Sequence, residues 1–279
     1  MMGDSTLIPF GLRLEDQQLV DVSEVERGVK CGCICPSCST PLLARQGEIN
    51  EWHFAHASKG VSESTKSECE YSFWVSVTLM AKQVISTASS INLPSLTMFF
   101  ADGKEVNVAK EKIATIDIIG LEKHISEVYA DAVLSVGKYL IVVIFTAPHK
   151  IADVYTPHGE QSENIGVLEI SLAKANEWLF GDKINGEYSK RIYHHIINDA
   201  ANKRWLHHPR VKIIENVNNL ELLATRPVEY RDMEFRSCYV ENKNKNKNYK
   251  CLICNHKWFG TQTCPNCKTH LYASEVKNA

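Results

Sequence analysis

Ten cysteines in 279 residues, nine of them in two clusters, constrain this chain more than any other feature. Five lie between Cys31 and Cys69, four between Cys251 and Cys267, and Cys238 stands alone. The segment after Met1 has no basic region followed by an apolar stretch, so no secretory signal is read and the cytoplasm is the expected compartment. Thiols stay reduced there, and cysteine pairs at two-residue gaps then point to metal rather than to disulfides. Cys251-x-x-Cys254 and Cys264-x-x-Cys267, nine residues apart, predict a zinc ribbon. Each turn places two thiolates on one ion, and two turns complete a tetrahedron. Pro265 sits in the second turn, and Tyr249, Trp258, Phe259 and Tyr272 offer a small apolar platform. So short a module cannot fold on core burial alone, so metal binding would drive its folding. With cysteine at all four positions the site is expected to be closed and structural. Unrelated free thiols or a redox pair account less well for two pairs at this spacing.

The N-terminal cluster is less regular. Cys35-Pro36-Ser37-Cys38 is followed by a short hairpin over Pro41–Trp52, then His53-Phe54-Ala55-His56, then Cys69. The expected zinc ligands are Cys35, Cys38, Cys69 and one of His53 or His56, the other histidine serving in the core or in a hydrogen bond. Buried cysteines without metal are the competing reading.

No apolar run approaches the roughly 18 residues of a membrane span, so no membrane association is expected. A formal net charge of −2 argues against a protein that coats nucleic acid. It leaves room for a local basic face, either Lys203, Arg204, His207, His208, Arg210 and Lys212 or the stretch Lys243–Lys250. Four segments are expected: an N-terminal hairpin module over 1–69, a mixed α/β core over 70–240, a lysine–asparagine linker over 241–249 and the ribbon over 250–279. In the core, Glu70–Ser86 is predicted as a helix, and Ala114–Ile119, Glu127–Val136, Tyr139–Thr146 and Val167–Leu172 as strands. A tight hairpin is expected at Val136-Gly137-Lys138, and a long amphipathic helix over Glu187–Leu206. Trp178 and Trp205 are expected as core anchors, His194-His195 as one exposed and one packed side chain, and His207-His208 as a helix-end surface.

The stretches CPSCSTPLLARQGEINEWHFAHAS and CEYSFWVSVTLMAKQVI resemble the N-terminal part of competence-protein CoiA-like nucleases. The likeness continues through VYADAVLSVGKYLIVVIFTAPHK, VLEISLAK and NKRWLHHPRV, covering about residues 10–212; the ribbon lies outside it. In that family a Cys/His element precedes a restriction-endonuclease-like PD-(D/E)XK core, an α/β (α+β) fold. The resemblance implies DNA as partner and Mg²⁺ or Mn²⁺ as cofactor, since clustered carboxylates hold a hard cation that activates water and neutralises phosphate charge. Carried over by position, Glu70 is the helical carboxylate and Asp131 the strand aspartate, with Lys150 as the candidate lysine. The next strand has Val142 where the family has a glutamate, Ala147 replaces the histidine of a Thr-His pair, and Ser171 replaces an acidic residue after Glu169.

Two explanations follow. Glu169 supplies the missing carboxylate and the protein is a metal-dependent deoxyribonuclease, or the core has lost cleavage and serves as a platform for DNA or a protein partner. A third reading makes the ribbon the docking point for a protein partner. A surface role for Lys150 is the plainer expectation.

Overall fold

The apolar run beginning at Tyr139 becomes the centre of the molecule. The computed structural model describes residues 7–57, 72–100, 103–125, 128–148, 150, 152, 164–181, 185–218, 247–251, 256–260, 264–266 and 273–275. In the N-terminal part lie β1 (Phe10–Arg13), β2 (Leu19–Asp21), β3 (Cys33–Ile34), β4 (Leu42–Arg45) and β5 (His53–His56). Helix α1 (Ser72–Ser86) follows, then β6 (Ser90–Leu93), β7 (Leu96–Phe99), β8 (Glu105–Ala109) and β9 (Lys112–Thr115). The central sheet comprises β10 (Asp117–Ile125), β11 (Val128–Val136), β12 (Tyr139–Thr146), β13 (Ile165–Ser171) and β14 (Lys203–His207). Between β13 and β14 lie α2 (Ala175–Phe180) and α3 (Tyr188–Tyr193); α4 (Arg210–Asn218) comes after β14. The C-terminal strands are β15 (Lys247–Cys251), β16 (Lys257–Gly260) and β17 (Ala273–Glu275).

The sheet order is β10-β11-β12-β13-β14, with β12 and β13 parallel and the other neighbours antiparallel. Gly137, at φ 58°, supplies the left-handed turn that pairs Val136 with Tyr139 and sets the register of the β11–β12 hairpin. β12 is buried from Ile141 to Thr146, as a strand covered on both faces must be. Leu134, Val143 and Phe145 face the cluster that includes Phe73, Val77 and Ile85 of α1, whereas Val133, Val142 and Val167 form a second cluster.

The N-terminal strands have no core of their own. Phe10, Val22, Leu42 and Phe54 are fully buried in the same cluster as α1 and the sheet. Burying each such side chain contributes roughly 1.5–3 kcal/mol. Polar contacts sew the seam. Leu19 exchanges two 2.9 Å hydrogen bonds with the Gln83 amide, buried Asp21 accepts from the Ser189 N–H, and the Tyr188 hydroxyl donates to the Trp52 carbonyl.

The sequence misplaces one element. Glu187–Leu206 is not one helix: α3 passes into a π-helical turn at His194–Asn198, the chain reverses, and Lys203–His207 forms the edge strand β14. Asp199 makes the break by leaving the helical region and accepting the Ala201 N–H. Tyr188, Ile192 and Ile196 are buried as the amphipathic pattern requires. Trp205 instead belongs to the sheet, its indole N–H donating to the Pro94 carbonyl at 3.0 Å. Ala114–Ile119 is split between β9 and β10, and the β7–β8 hairpin, which has the turn signal Asp102-Gly103 between its strands, is absent from the sequence expectations.

Candidate functional site

Asp131 lies on β11, near the end of the sheet opposite the Gly137 turn, and is fully buried. One carboxylate oxygen accepts the Phe145 N–H at 2.8 Å and the Lys150 ammonium at 2.6 Å. The other faces the Lys82 ammonium at 3.1 Å, and Lys82 also donates to Glu122 at 3.0 Å. Burial pushes the Asp131 carboxyl up, but Lys150 and Lys82 outweigh it and hold the group below its ordinary value. The surface role expected for Lys150 is therefore corrected: only 13% of its side chain is exposed, and it completes an ion pair. Sequence reasoning missed Lys82 and Glu122. Lys82 could have been noticed, because it takes the i+7 place in the buried stripe begun by Val75 and Thr78. Glu122 had no such signal; its φ of 53° turns the strand locally.

The remaining nuclease-type candidates are placed as follows. Glu169 accepts from the Thr146 hydroxyl at 2.9 Å and from Arg204 at 2.5 and 2.8 Å. Val142 is buried among Val133, Ile144 and Val167. Glu70 lies outside the described residues. Divalent-metal coordination fits the described group poorly, because each Asp131 oxygen meets a lysine and the strand position expected to be acidic is apolar.

The N-terminal cysteines and one histidine converge differently. The Cys35–Cys38 turn is closed by Ser39 N–H to the Cys35 carbonyl and Cys35 N–H to the Thr40 carbonyl, both 2.8 Å. β4 then pairs with β5 so that Leu42 stands opposite His56 and Arg45 opposite His53. Side chains alternate along a strand, so His56 shares the face of buried Phe54 and His53 takes the other. His56 Nε2 lies 3.4 Å from Cys38 Sγ, and the donor atoms of Cys35, Cys38 and His56 all fall within 4.8 Å of one another. His53 instead places Nδ1 2.7 Å from the Glu51 carbonyl. Hydrogen bonds to Cys35 and Cys38 raise the His56 pKa to about 10 against the opposing effect of burial. Two soft sulfurs and an imidazole are a donor set suited to zinc. Cys31 and Cys33 stand aside as buried thiols, donating to the carbonyls of Leu42 and Cys31. Cys69 lies outside the described residues.

Residues 18–65, which span this knuckle and hairpin, match the family described as competence protein CoiA, N-terminal domain. Over this segment the chain is similar to that domain. The match ends before α1, so the central sheet and the C-terminal cysteines lie outside it. No curated protein and no solved structure matches the chain.

The C-terminal strands form a sheet of order β16-β15-β17. Cys251 and Cys264 are fully buried and pack with Val75 of α1, bordered by Trp74, Tyr129 and Trp258. Tyr249 and Trp258 stack across the strands at 5.5 Å, and the Cys251 N–H closes a turn on the His256 carbonyl. Cys254 and Cys267 lie outside the described residues. β15 takes in Lys247, at the end of the lysine–asparagine tract.

Of the other histidines, His194 is exposed, whereas His195 stacks on Trp178 at 4.2 Å and donates to the Ser171 carbonyl. The basic face over 203–212 is dispersed, with Lys203 buried and bonded to the Asp199 carbonyl and Arg204 paired to Glu169. No helix among the described residues is long and apolar enough to cross a membrane.

Proposed function

We propose that this CoiA-like chain is a nuclease-like DNA-binding protein whose core serves as a platform and does not cleave. The observation that carries the loss of cleavage is the ion pairing of Asp131 with Lys82 and Lys150, at 3.1 and 2.6 Å, together with an apolar Val142 in the next strand. A carboxylate that holds Mg²⁺ needs its oxygens directed at the ion and usually a second acidic ligand close by. Here the protein's own cations neutralise the charge. The β10–β14 order, an antiparallel meander joined to a parallel strand, supports a PD-(D/E)XK-type core, and the CoiA N-terminal match supports DNA as partner.

In this reading Cys35, Cys38 and His56 hold a structural zinc that crosslinks the knuckle to β5, with Cys69 as the candidate fourth ligand. Cys251, Cys254, Cys264 and Cys267 hold a second zinc in the ribbon. Packed on α1, the ribbon is a docking point for DNA or a protein partner.

One observation favours an active enzyme instead. Lys150 lies beside the strand aspartate, where a nuclease lysine would be, and Glu70, Glu122 or Glu169 could then supply the second carboxylate. Assay of the full chain on single- and double-stranded DNA with Mg²⁺ and Mn²⁺ decides between the two. The platform reading expects salt-dependent binding that needs neither Mg²⁺ nor Mn²⁺, and no cleavage. Cleavage lost in Asp131→Asn, with the fold retained, would establish the enzyme.

A further inference from the structure

At the Gly137 end of the sheet, away from Asp131, lies a cavity of about 470 Å³. Its size falls in the roughly 300–1,000 Å³ span of small-ligand sites. Leu93, Pro94, Val108, Ile141, Tyr139 and Trp205 give it apolar and aromatic walls. Lys110, Lys112 and Arg210 bring cations to it, and the described lining residues include no carboxylate. Along β12, Ile141 in this wall and Phe145 at the Asp131 cluster are separated by roughly 13 Å of strand, so the two sites are distinct.

The aromatic wall is held in place. Trp205 is fixed by its bond to the Pro94 carbonyl and by the His208 ring, edge-on at 4.8 Å. A Cβ on Gly166 would meet the Trp205 ring at 2.9 Å, so only glycine lets that ring lie against β13. His208 accepts the Arg210 N–H on Nδ1, which leaves Nε2 as the protonated, donating nitrogen of its neutral ring. Burial, and after it the neighbouring cations Arg210 and Lys112, push its pKa down to about 4.

We propose that this cavity binds one nucleotide unit, its base against Trp205 and Tyr139 and its phosphate at Lys110, Lys112 and Arg210. Aromatic side chains take any base face, and guanidinium and ammonium groups take the phosphate. The unit comes either from a free nucleotide or from an unpaired end of a DNA strand.

The test is titration of the full chain, followed by tryptophan fluorescence and calorimetry. The probes are nucleoside 5′-monophosphates, the matching nucleosides, inorganic phosphate, laurate and a short single-stranded oligonucleotide. The expected result is that nucleotides bind better than nucleosides or phosphate, and that Arg210→Gln or Lys112→Ala weakens them about tenfold, the loss of one charge-assisted hydrogen bond. Gly166→Ala should weaken them as well, and all three variants should keep the native circular dichroism. If the oligonucleotide competes with the nucleotide, the strand is the source; if it does not, the free nucleotide is. No binding of either probe, equal affinity for nucleosides, or a preference for laurate would overturn the proposal. A chain that binds DNA but ignores mononucleotides sinks this inference alone; one that binds mononucleotides but not DNA sinks the platform reading alone.

Discussion

At the N-terminal site two sulfurs and an imidazole nitrogen face one another within 4.8 Å, whereas at Asp131 each carboxylate oxygen faces a lysine. Both clusters contain residues that ligate metals elsewhere in biology, and both sit on strands that enter the same apolar core. The difference lies in what neutralises them. Soft donors turned toward one another, with His56 drawn to a high pKa between the cysteines, gain from a divalent ion that replaces a proton. A buried carboxylate already matched by two ammonium groups gains little from one, because the ion must first displace both of them. Residue type nominates a metal site; the charge balance around the donors decides it.

The largest expected effect is at Asp131. Asp131→Ala removes the carboxylate that two lysines share and should destabilise the fold by about 3–5 kcal/mol in chemical denaturation. A variant as stable as the parent would break the contrast, since Asp131 would then not be the hub of an ion-pair network. Removal of zinc by a strong chelator comes next. An ion held at about 100 times its dissociation constant contributes about 2.7 kcal/mol, and because the module shares the main core, the loss should lower the whole unfolding transition. A transition indifferent to chelator would remove the metal from the account.

Substitution of the two histidines sharpens the N-terminal half of the comparison. His56→Ala should cost the site its zinc, whereas His53→Ala should leave the metal content unchanged, as followed by elemental analysis. The reverse outcome would move the ligand to the other face of β5. The smallest effect is acid titration at His208. Its folded pKa of about 4 lies below the ordinary 6.5, so the unfolded chain binds more protons in that window and stability should fall as pH drops from about 6.5 to about 4. An NMR titration placing the His208 midpoint near 6.5 would contradict the burial and the cationic surroundings assigned to it.

Much of the central sheet can be read in the sequence because local pattern and burial agree. The Gly137 hairpin, the apolar β12 and the buried face of α1 all follow from periodicity and turn chemistry. β14 could not be read so. The helical pattern over Glu187–Leu206 is interrupted at Asp199, and the pairing of β14 with β13, a long-range event, overrides the local preference beyond it. At the candidate sites the cysteines were plain from spacing, and the choice of His56 over His53 was available from strand parity with Phe54. Lys82 is legible as a lysine in a buried stripe, but its pairing with Asp131, and that of Glu122 with Lys82, exist only after α1 and β10 pack around β11. Val142 was visible as a departure from the family pattern, but its burial among valines and isoleucine needed the fold.

The most direct test of the contrast is metal analysis of the purified chain, in parallel with Mn²⁺ binding followed by electron paramagnetic resonance. The account predicts zinc that falls by one equivalent in Cys35→Ser or His56→Ala, is unchanged in Asp131→Asn, and is accompanied by no Mn²⁺ bound at Asp131. Stoichiometric Mn²⁺ binding that disappears in Asp131→Asn, with zinc unaffected by Cys35→Ser, would contradict it.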